Sequence, residues 1–232
     1  LNSAGLHPDI ILARAYTTID KKRKEKIAFN CGVDLEAIIS APDVKSLYEI
    51  PVNFEKEKLS GTILKKLKIA KKKTPANDWM GWQKLVSKIH NSKSSVKIGI
   101  VGKYFTTGDF VLADSYISVI EAIKHSAYFL ERKPEISWIN CEEFDPLASR
   151  NRSGNNLKKL KNYDGIIVPG GFGGRGVEGK ISAIRYSREN KIPFLGLCYG
   201  MQLAVIEFAR NAAGLKNANT TEVNPNTPHP VI

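Results

Sequence analysis

Gly196-Leu197-Cys198-Tyr199-Gly200-Met201-Gln202 sets one cysteine on a turn framed by glycines. Just before it, Lys191-Ile192-Pro193-Phe194-Leu195 reads as a short buried strand. Just after it, Met201, Leu203, Ala204, Val205 and Phe208 recur as the apolar face of a helix. A strand-to-helix turn of the form Gly-x-nucleophile-x-Gly is a nucleophile elbow. Its glycines remove the Cβ atoms that would collide where the chain reverses. The following helix directs its positive dipole end at the sulfur and favours negative charge there. Cys198 therefore reads as a nucleophile towards an acyl carbon. Cys31 and Cys141 have neither a glycine frame nor a metal-ligand spacing and read as small core residues, so no metal site is expected.

Upstream, Gly165-Ile166-Ile167-Val168-Pro169 is an apolar strand that runs directly into Gly170-Gly171-Phe172-Gly173-Gly174-Arg175-Gly176. A helix with Ile181, Ala183, Ile184 and Tyr186 on one side follows, over Lys180 to Glu189. By letter this turn matches two phosphate motifs, and chemistry argues against both. Gly174-x-x-x-x-Gly179-Lys180 carries Ile181 where a P-loop needs the Ser or Thr that holds the metal ion. Gly171-x-Gly173-x-x-Gly176 lacks the acidic residue that a dinucleotide site places about 20 positions on. The better reading is an oxyanion hole, in which the backbone N–H groups of Gly170 and Gly171 face the negative oxygen of an acyl-transfer intermediate. A tight turn without a ligand is the alternative.

These two strand–turn–helix units continue a pattern that starts at Lys97. A strand (97–101), a helix (113–130) and a strand (135–140) precede them, with a polar loop over Ser149 to Lys161. Repeated βα units imply an α/β fold, a parallel sheet with helices on both faces and ligands at the carboxyl ends of the strands. Residues 1–52 read as the tail of a second α/β domain: a strand (9–13), a helix (20–30) and a short strand (37–40). Residues 53–95 read as a linker with helices over 55–70 and 77–90, Trp79 and Trp82 sharing one face of the second.

Composition narrows the function classes. With 42% hydrophobic residues the 232-residue chain can bury a core, and no apolar run approaches a membrane span. Three cysteines make no disulfide framework, which fits a reducing cytoplasm. The net charge is +12, with 18 basic against 10 acidic groups in residues 1–95 and 17 against 13 in residues 96–232. Lysine runs such as Lys21-Lys22-Arg23-Lys24 and Lys71-Lys72-Lys73 lack interleaved aromatics, which argues against nucleic acid as the main partner. A site for nucleoside triphosphates suits the same charge.

The two turns together, Pro169-Gly170-Gly171-Phe172-Gly173 and Gly196 to Gln202, resemble those of the triad (class I) glutamine amidotransferases. Arg175-Gly176-Val177-Glu178-Gly179-Lys180, Ala218-Asn219-Thr220-Thr221-Glu222, Gly102-Lys103-Tyr104, Asp114-Ser115-Tyr116 and Ser118-Val119-Ile120-Glu121-Ala122 narrow the resemblance to the CTP synthase family. Pro8-Asp9-Ile10-Ile11, Lys24-Glu25-Lys26-Ile27-Ala28 and Ser40-Ala41-Pro42-Asp43-Val44 resemble the end of that family's amidoligase domain. The resemblance thus covers nearly the whole chain.

It implies a flavodoxin-like glutaminase over residues 96–232, preceded by the end of the amidoligase (synthetase) domain. It implies that Cys198 forms a glutamyl thioester and that ammonia passes to ATP-activated UTP, giving CTP. Gly171, Tyr199, Gly200, Met201, Gln202 and Glu222 would line the glutamine pocket, with Glu222 on the α-ammonium group. Lys26 would contact UTP, or CTP as inhibitor, and Pro42-Asp43-Val44 would lie against the ATP adenine. A carboxylate suits an ammonium and a lysine suits a phosphate, although for either residue alone a solvated surface charge is the commoner reading. The resemblance further implies Mg²⁺, GTP as effector, a homotetramer and a cytoplasmic location. It places the triad His and Glu beyond the position matching Ile232, and the phosphate loop and Mg²⁺ ligands before Leu1, so a piece of a larger protein is expected. None of His7, His90, His125 and His229 matches the family's catalytic histidine. Tyr199 replaces the family's usual Leu, and Phe105 to Ala113 is longer than the usual connection. The alternatives are the glutaminase of another amidotransferase, or a non-catalytic regulatory or assembly subunit that keeps the fold.

Overall fold

The computed structural model describes residues 2–70, 76–103, 106–107, 110–111, 116–146, 153–171 and 173–232. The chain divides into two compact units, Leu1–Ser87 and Lys88–Ile232.

In the first unit, β1 (Ile11–Ala15) pairs in parallel with β2 (Ile38–Pro42), in register from Ile11 opposite Ile38 to Ala15 opposite Pro42. The connecting helix α1 (Lys21–Cys31) begins where the Asp20 carboxylate accepts the Arg23 N–H at 2.8 Å, and it ends at Gly32 with φ 64°. Its inner face, Ile27, Ala28 and Cys31, packs on Val33, Ala37 and Ile38.

The helix expected over 55–70 is instead two helices, α2 (Ile50–Lys56) and α3 (Leu59–Lys66), broken at Lys58 with φ 59°. The break coincides with an anchor. The Glu57 carboxylate pairs with Lys24 of α1 and accepts the Ser40 N–H of β2 at 3.3 Å. Leu67 and Ile69 lie beyond α3 and are exposed. In α4 (Ala76–Asn91), Trp82 donates its indole N–H to the Tyr48 carbonyl at 2.9 Å. The lysine run at 71–73 lies outside the described residues.

The second unit is built on four parallel strands in the order β6-β3-β7-β8: β3 (Ser94–Gly102), β6 (Arg132–Asn140), β7 (Gly165–Val168) and β8 (Phe194–Gly196). Period-two alternation divides their side chains between two cores. On one face Ile98, Ile100, Ile136 and Ile167 pack with Tyr116 and with Ile123 of α5 (Ile117–Phe129). On the other face Val101, Ile139, Ile166 and Val168 meet α7 (Val177–Glu189) and α8 (Tyr199–Asn211). Helices therefore cover both faces of a parallel sheet, as expected.

Two short strands, β4 (Thr106–Thr107) and β5 (Phe110–Val111), pair antiparallel within the segment expected to be a long connection, the rest of which lies outside the described residues. The polar loop expected over Ser149 to Lys161 is corrected from Ser153 onward. α6 (Ser153–Leu157) runs into a 3₁₀ turn over Lys158–Asn162. Leu160 is fully buried in the core and Leu157 packs beside it, so two leucines at helical spacing outweigh the polar composition around them. Among the described residues, no helix is long and apolar enough to cross a membrane.

Candidate active site

β7 and β8 are hydrogen-bonded neighbours, and each delivers a glycine turn at its carboxyl end. At the second turn Cys198 takes φ 51° and ψ −112°, a conformation that ordinary side chains avoid, immediately before α8. Strain of this kind is held only when its surroundings impose it. The Leu197 N–H donates to the Val168 carbonyl at 2.9 Å, and the Cys198 carbonyl accepts the N–H groups of Met201 and Gln202 at 3.0 and 3.1 Å.

Both framing glycines are sterically required. A Cβ on Gly200 would lie 2.0 Å from the Val168 oxygen, and one on Gly196 would lie 2.6 Å from the Gly200 oxygen. The result is an exposed thiol at the N-terminus of a 13-residue helix.

Gly170 lies against that thiol. A Cβ built on it would sit 3.5 Å from Cys198 Cβ and 3.9 Å from Sγ. The Tyr116 hydroxyl approaches the Gly170 carbonyl at 3.5 Å. Gly171 is half-buried beside it, and Phe172 lies outside the described residues.

A third segment, from beyond α8, lies beside the glycine turn through Val223. Glu222 is exposed, and its N–H donates to Thr220 Oγ1 at 3.2 Å. Val223 lies 3.8 Å from the position a Cβ on Gly174 would take. Thr220 and Ala218 are buried, which fixes the base of this segment. Met201 is half exposed on α8 and Gln202 is partly buried.

Tyr199 takes a place that composition did not suggest. Its side chain is 3% exposed, within the core, and its hydroxyl donates to the Gly173 carbonyl at 3.4 Å. It thus supports the glycine turn from below. Burial, with the negative charge of Glu222 added, pushes its phenol above the ordinary tyrosine range.

No sequence signal marks Lys180 as buried. It is 1% exposed, its Nζ lies 5.7 Å from the centroid of the Tyr199 ring, and no hydrogen-bond partner for it exists among the described residues. Burial lowers its pKa from the usual lysine value; Cys141 opposes this shift and Lys103 adds to it.

The unfolded chain therefore binds the extra proton, and the penalty for burying the charge is complete below the folded pKa. It fades as pH rises towards 10.5. Lys180→Met is expected to stabilise the fold at pH 7 by about 1–3 kcal/mol, the cost of an unsatisfied buried donor. The gain should shrink as pH rises towards 10. Urea titrations at the two pH values check this; a destabilised variant at pH 7 would contradict it.

In the first unit, Pro42, Asp43 and Val44 line a cleft of about 650 Å³ together with Leu12, Arg14 and Phe54. Within this lining Arg14 pairs with Asp43 at 3.1 Å. Lys26 is exposed on α1. Among the described residues no three His, Cys, Asp or Glu side chains converge to hold a metal ion.

Sequence reasoning missed the charged residues that brace these segments. Arg188 of α7 grips the buried Glu207 of α8 at 2.8 and 2.9 Å. Arg210 of α8 reaches Glu178 and the Ala218 carbonyl. The partners are distant in sequence, so no local signal could have joined them.

Comparison with known proteins gives a consistent picture. The family profile described as glutamine amidotransferase class-I matches residues 111–229, and the profile described as CTP synthase N-terminus matches residues 1–69. The CTP synthase of Caldanaerobacter subterraneus subsp. tengcongensis is 46% identical over 232 residues, covering 100% of this chain and 40% of that protein. That of Methanocaldococcus jannaschii is 47% identical over 237 residues, covering 100% and 41%. The chain thus spans about two-fifths of the length of the curated relatives it matches. Among solved structures, the glutaminase domain of Trypanosoma brucei CTPS with bound acivicin aligns at a TM-score of 0.52 and 38% identity, over 58% of this chain and 48% of that one.

Proposed function

Because this chain belongs to the class-I glutamine amidotransferase family and aligns along its whole length with CTP synthases, we propose that it is the glutaminase and adjoining amidoligase part of an enzyme that aminates UTP to CTP. The observation that carries the reading is the strained, exposed Cys198 at the start of α8 with Gly170 packed against its sulfur.

In this reading the Cys198 sulfur attacks the side-chain carbonyl carbon of glutamine while a general base takes the thiol proton. The carbonyl oxygen becomes an oxyanion, stabilised by the backbone N–H groups of Gly170 and Gly171. Collapse breaks the C–N bond, the nitrogen gains a proton, and ammonia leaves a glutamyl thioester on Cys198. Water then attacks the thioester, releasing glutamate and restoring the thiol. Glu222 binds the α-ammonium, and Tyr199, Gly200, Met201 and Gln202 complete the pocket, Tyr199 by holding its floor. The acivicin bound by the Trypanosoma brucei domain is expected to occupy the same place here.

We assign residues 1–52 to the amidoligase domain, 53–95 to a helical connection and 96–232 to the glutaminase. The cleft at Pro42-Asp43-Val44 suits an adenine, with apolar Leu12 and Phe54 for the ring. The exposed Lys26 suits a phosphate of UTP or CTP. The whole enzyme uses ATP with Mg²⁺, responds to GTP and assembles as a homotetramer in the cytoplasm.

Full-length protein supplied with ATP, Mg²⁺, UTP and glutamine is expected to form CTP, followed by chromatography of the nucleotides. Glutamine hydrolysis without CTP would point to another acceptor. No hydrolysis by a folded protein would favour a non-catalytic subunit.

A further inference from the structure

We propose that Arg210 is a positioning residue for the glutamine site, a clamp that sets Glu222 at its working distance from Cys198. This rests on the glutaminase reading above. Arg210 sits in the last turn of α8, the helix that starts at Cys198. Its Nε donates to the Ala218 carbonyl at 2.6 Å, and its Nη1 donates to Glu178 at 2.9 and 3.1 Å. Glu178 lies in the first turn of α7, directly after the glycine turn. One guanidinium thus ties together the three segments that build the site: the nucleophile helix, the helix after the glycine turn, and the segment leading to Glu222.

The two bonds have different consequences. The pair with Glu178 joins the negative end of α8 to the positive end of α7 and supports the fold. The bond to Ala218 acts on ligand geometry. Ala218 is fully buried, and Thr220, two residues on, is 1% exposed and accepts the Glu222 N–H. From Ala218 to Glu222 the backbone therefore has little freedom, and the carboxylate inherits its position from the clamp. Arginine is needed because its planar fork donates in two fixed directions at once; the ammonium of lysine, a compact point charge, does not reproduce the fork.

The test compares Arg210→Lys, Arg210→Gln and Glu178→Gln in the full-length protein, each assayed for CTP formation with glutamine and with ammonium chloride. Urea unfolding midpoints are measured alongside. Losing a charge-assisted bond to the Ala218 carbonyl is expected to raise the KM for glutamine about tenfold in both Arg210 variants. Ammonia-supported synthesis should stay unchanged. Glu178→Gln, which keeps the Ala218 bond, is expected to lose stability without that rise in KM.

A wild-type KM in Arg210→Lys would overturn the clamp. So would a KM that rises equally in Glu178→Gln and follows the loss of stability. If the unaltered protein makes CTP from ammonia but not from glutamine, the glutaminase reading itself fails and the clamp fails with it.

Discussion

Cys198→Ala is expected to abolish glutamine-supported CTP formation, by at least about 10³-fold, the scale on which removal of a covalent nucleophile acts. Ammonia-supported formation by the same full-length protein should remain within about twofold, since external ammonia bypasses the thioester. The variant is mild structurally. Cys198 is exposed, and the contacts that fix the turn are backbone bonds from Leu197, Met201 and Gln202. Alanine keeps the Cβ and removes only the sulfur. The positive φ of 51° is already carried by a non-glycine residue, so the exchange adds no new strain. Loss of both activities in a folded variant would contradict the account, because it would place Cys198 in the synthetase reaction or in the core.

The second large effect concerns stability. Arg188→Ala is expected to destabilise the glutaminase unit by about 3–5 kcal/mol, the cost of stranding a buried charge. Glu207 is 1% exposed on the face of α8 that meets α7, and Arg188 satisfies both its oxygens. The pair favours the charged guanidinium, raising its pKa through the Glu207 hydrogen bond and charge. Removing the arginine leaves a carboxylate in the core with, among the described residues, the Asn211 amide as its remaining side-chain donor, at 3.3 Å. The double variant Arg188→Met with Glu207→Leu should recover most of the loss, because neither charge is then buried alone. Urea unfolding of the single and double variants measures both. A single variant within about 1 kcal/mol of the parent, the range of an exposed pair, would show that the pair is solvated.

The parts of the fold that sequence revealed are those with local signals. Apolar runs at Ile98–Val101 and Gly165–Val168, and the glycines Gly196 and Gly200 that frame Cys198, mark the parallel sheet and the elbow. The parts it hid are those decided at long range. The break at Lys58 coincides with an ion pair from Glu57 to Lys24 on another element, a partnership that residues 55–70 alone do not reveal. Ser153 to Asn162 reads as polar by composition, yet Leu157 and Leu160 pack in the core. The site followed the same division. Cys198, Gly170 and Gly171 stand out by motif. The burial of Tyr199 and Lys180 does not, since a phenol and an ammonium are ordinarily read as surface groups. Arg210 and Arg188 look like two more surface cations until their partners on neighbouring elements are known.

The central claim is that Cys198 releases ammonia from glutamine for the amination of UTP. The most direct measurement supplies the full-length protein with ATP, Mg²⁺, UTP and glutamine labelled with ¹⁵N at the side-chain amide, with and without prior exposure to acivicin. The account predicts CTP carrying ¹⁵N on its exocyclic amine, and no labelled CTP after acivicin. It is contradicted if CTP forms from glutamine without the label, or if acivicin leaves the labelled product undiminished.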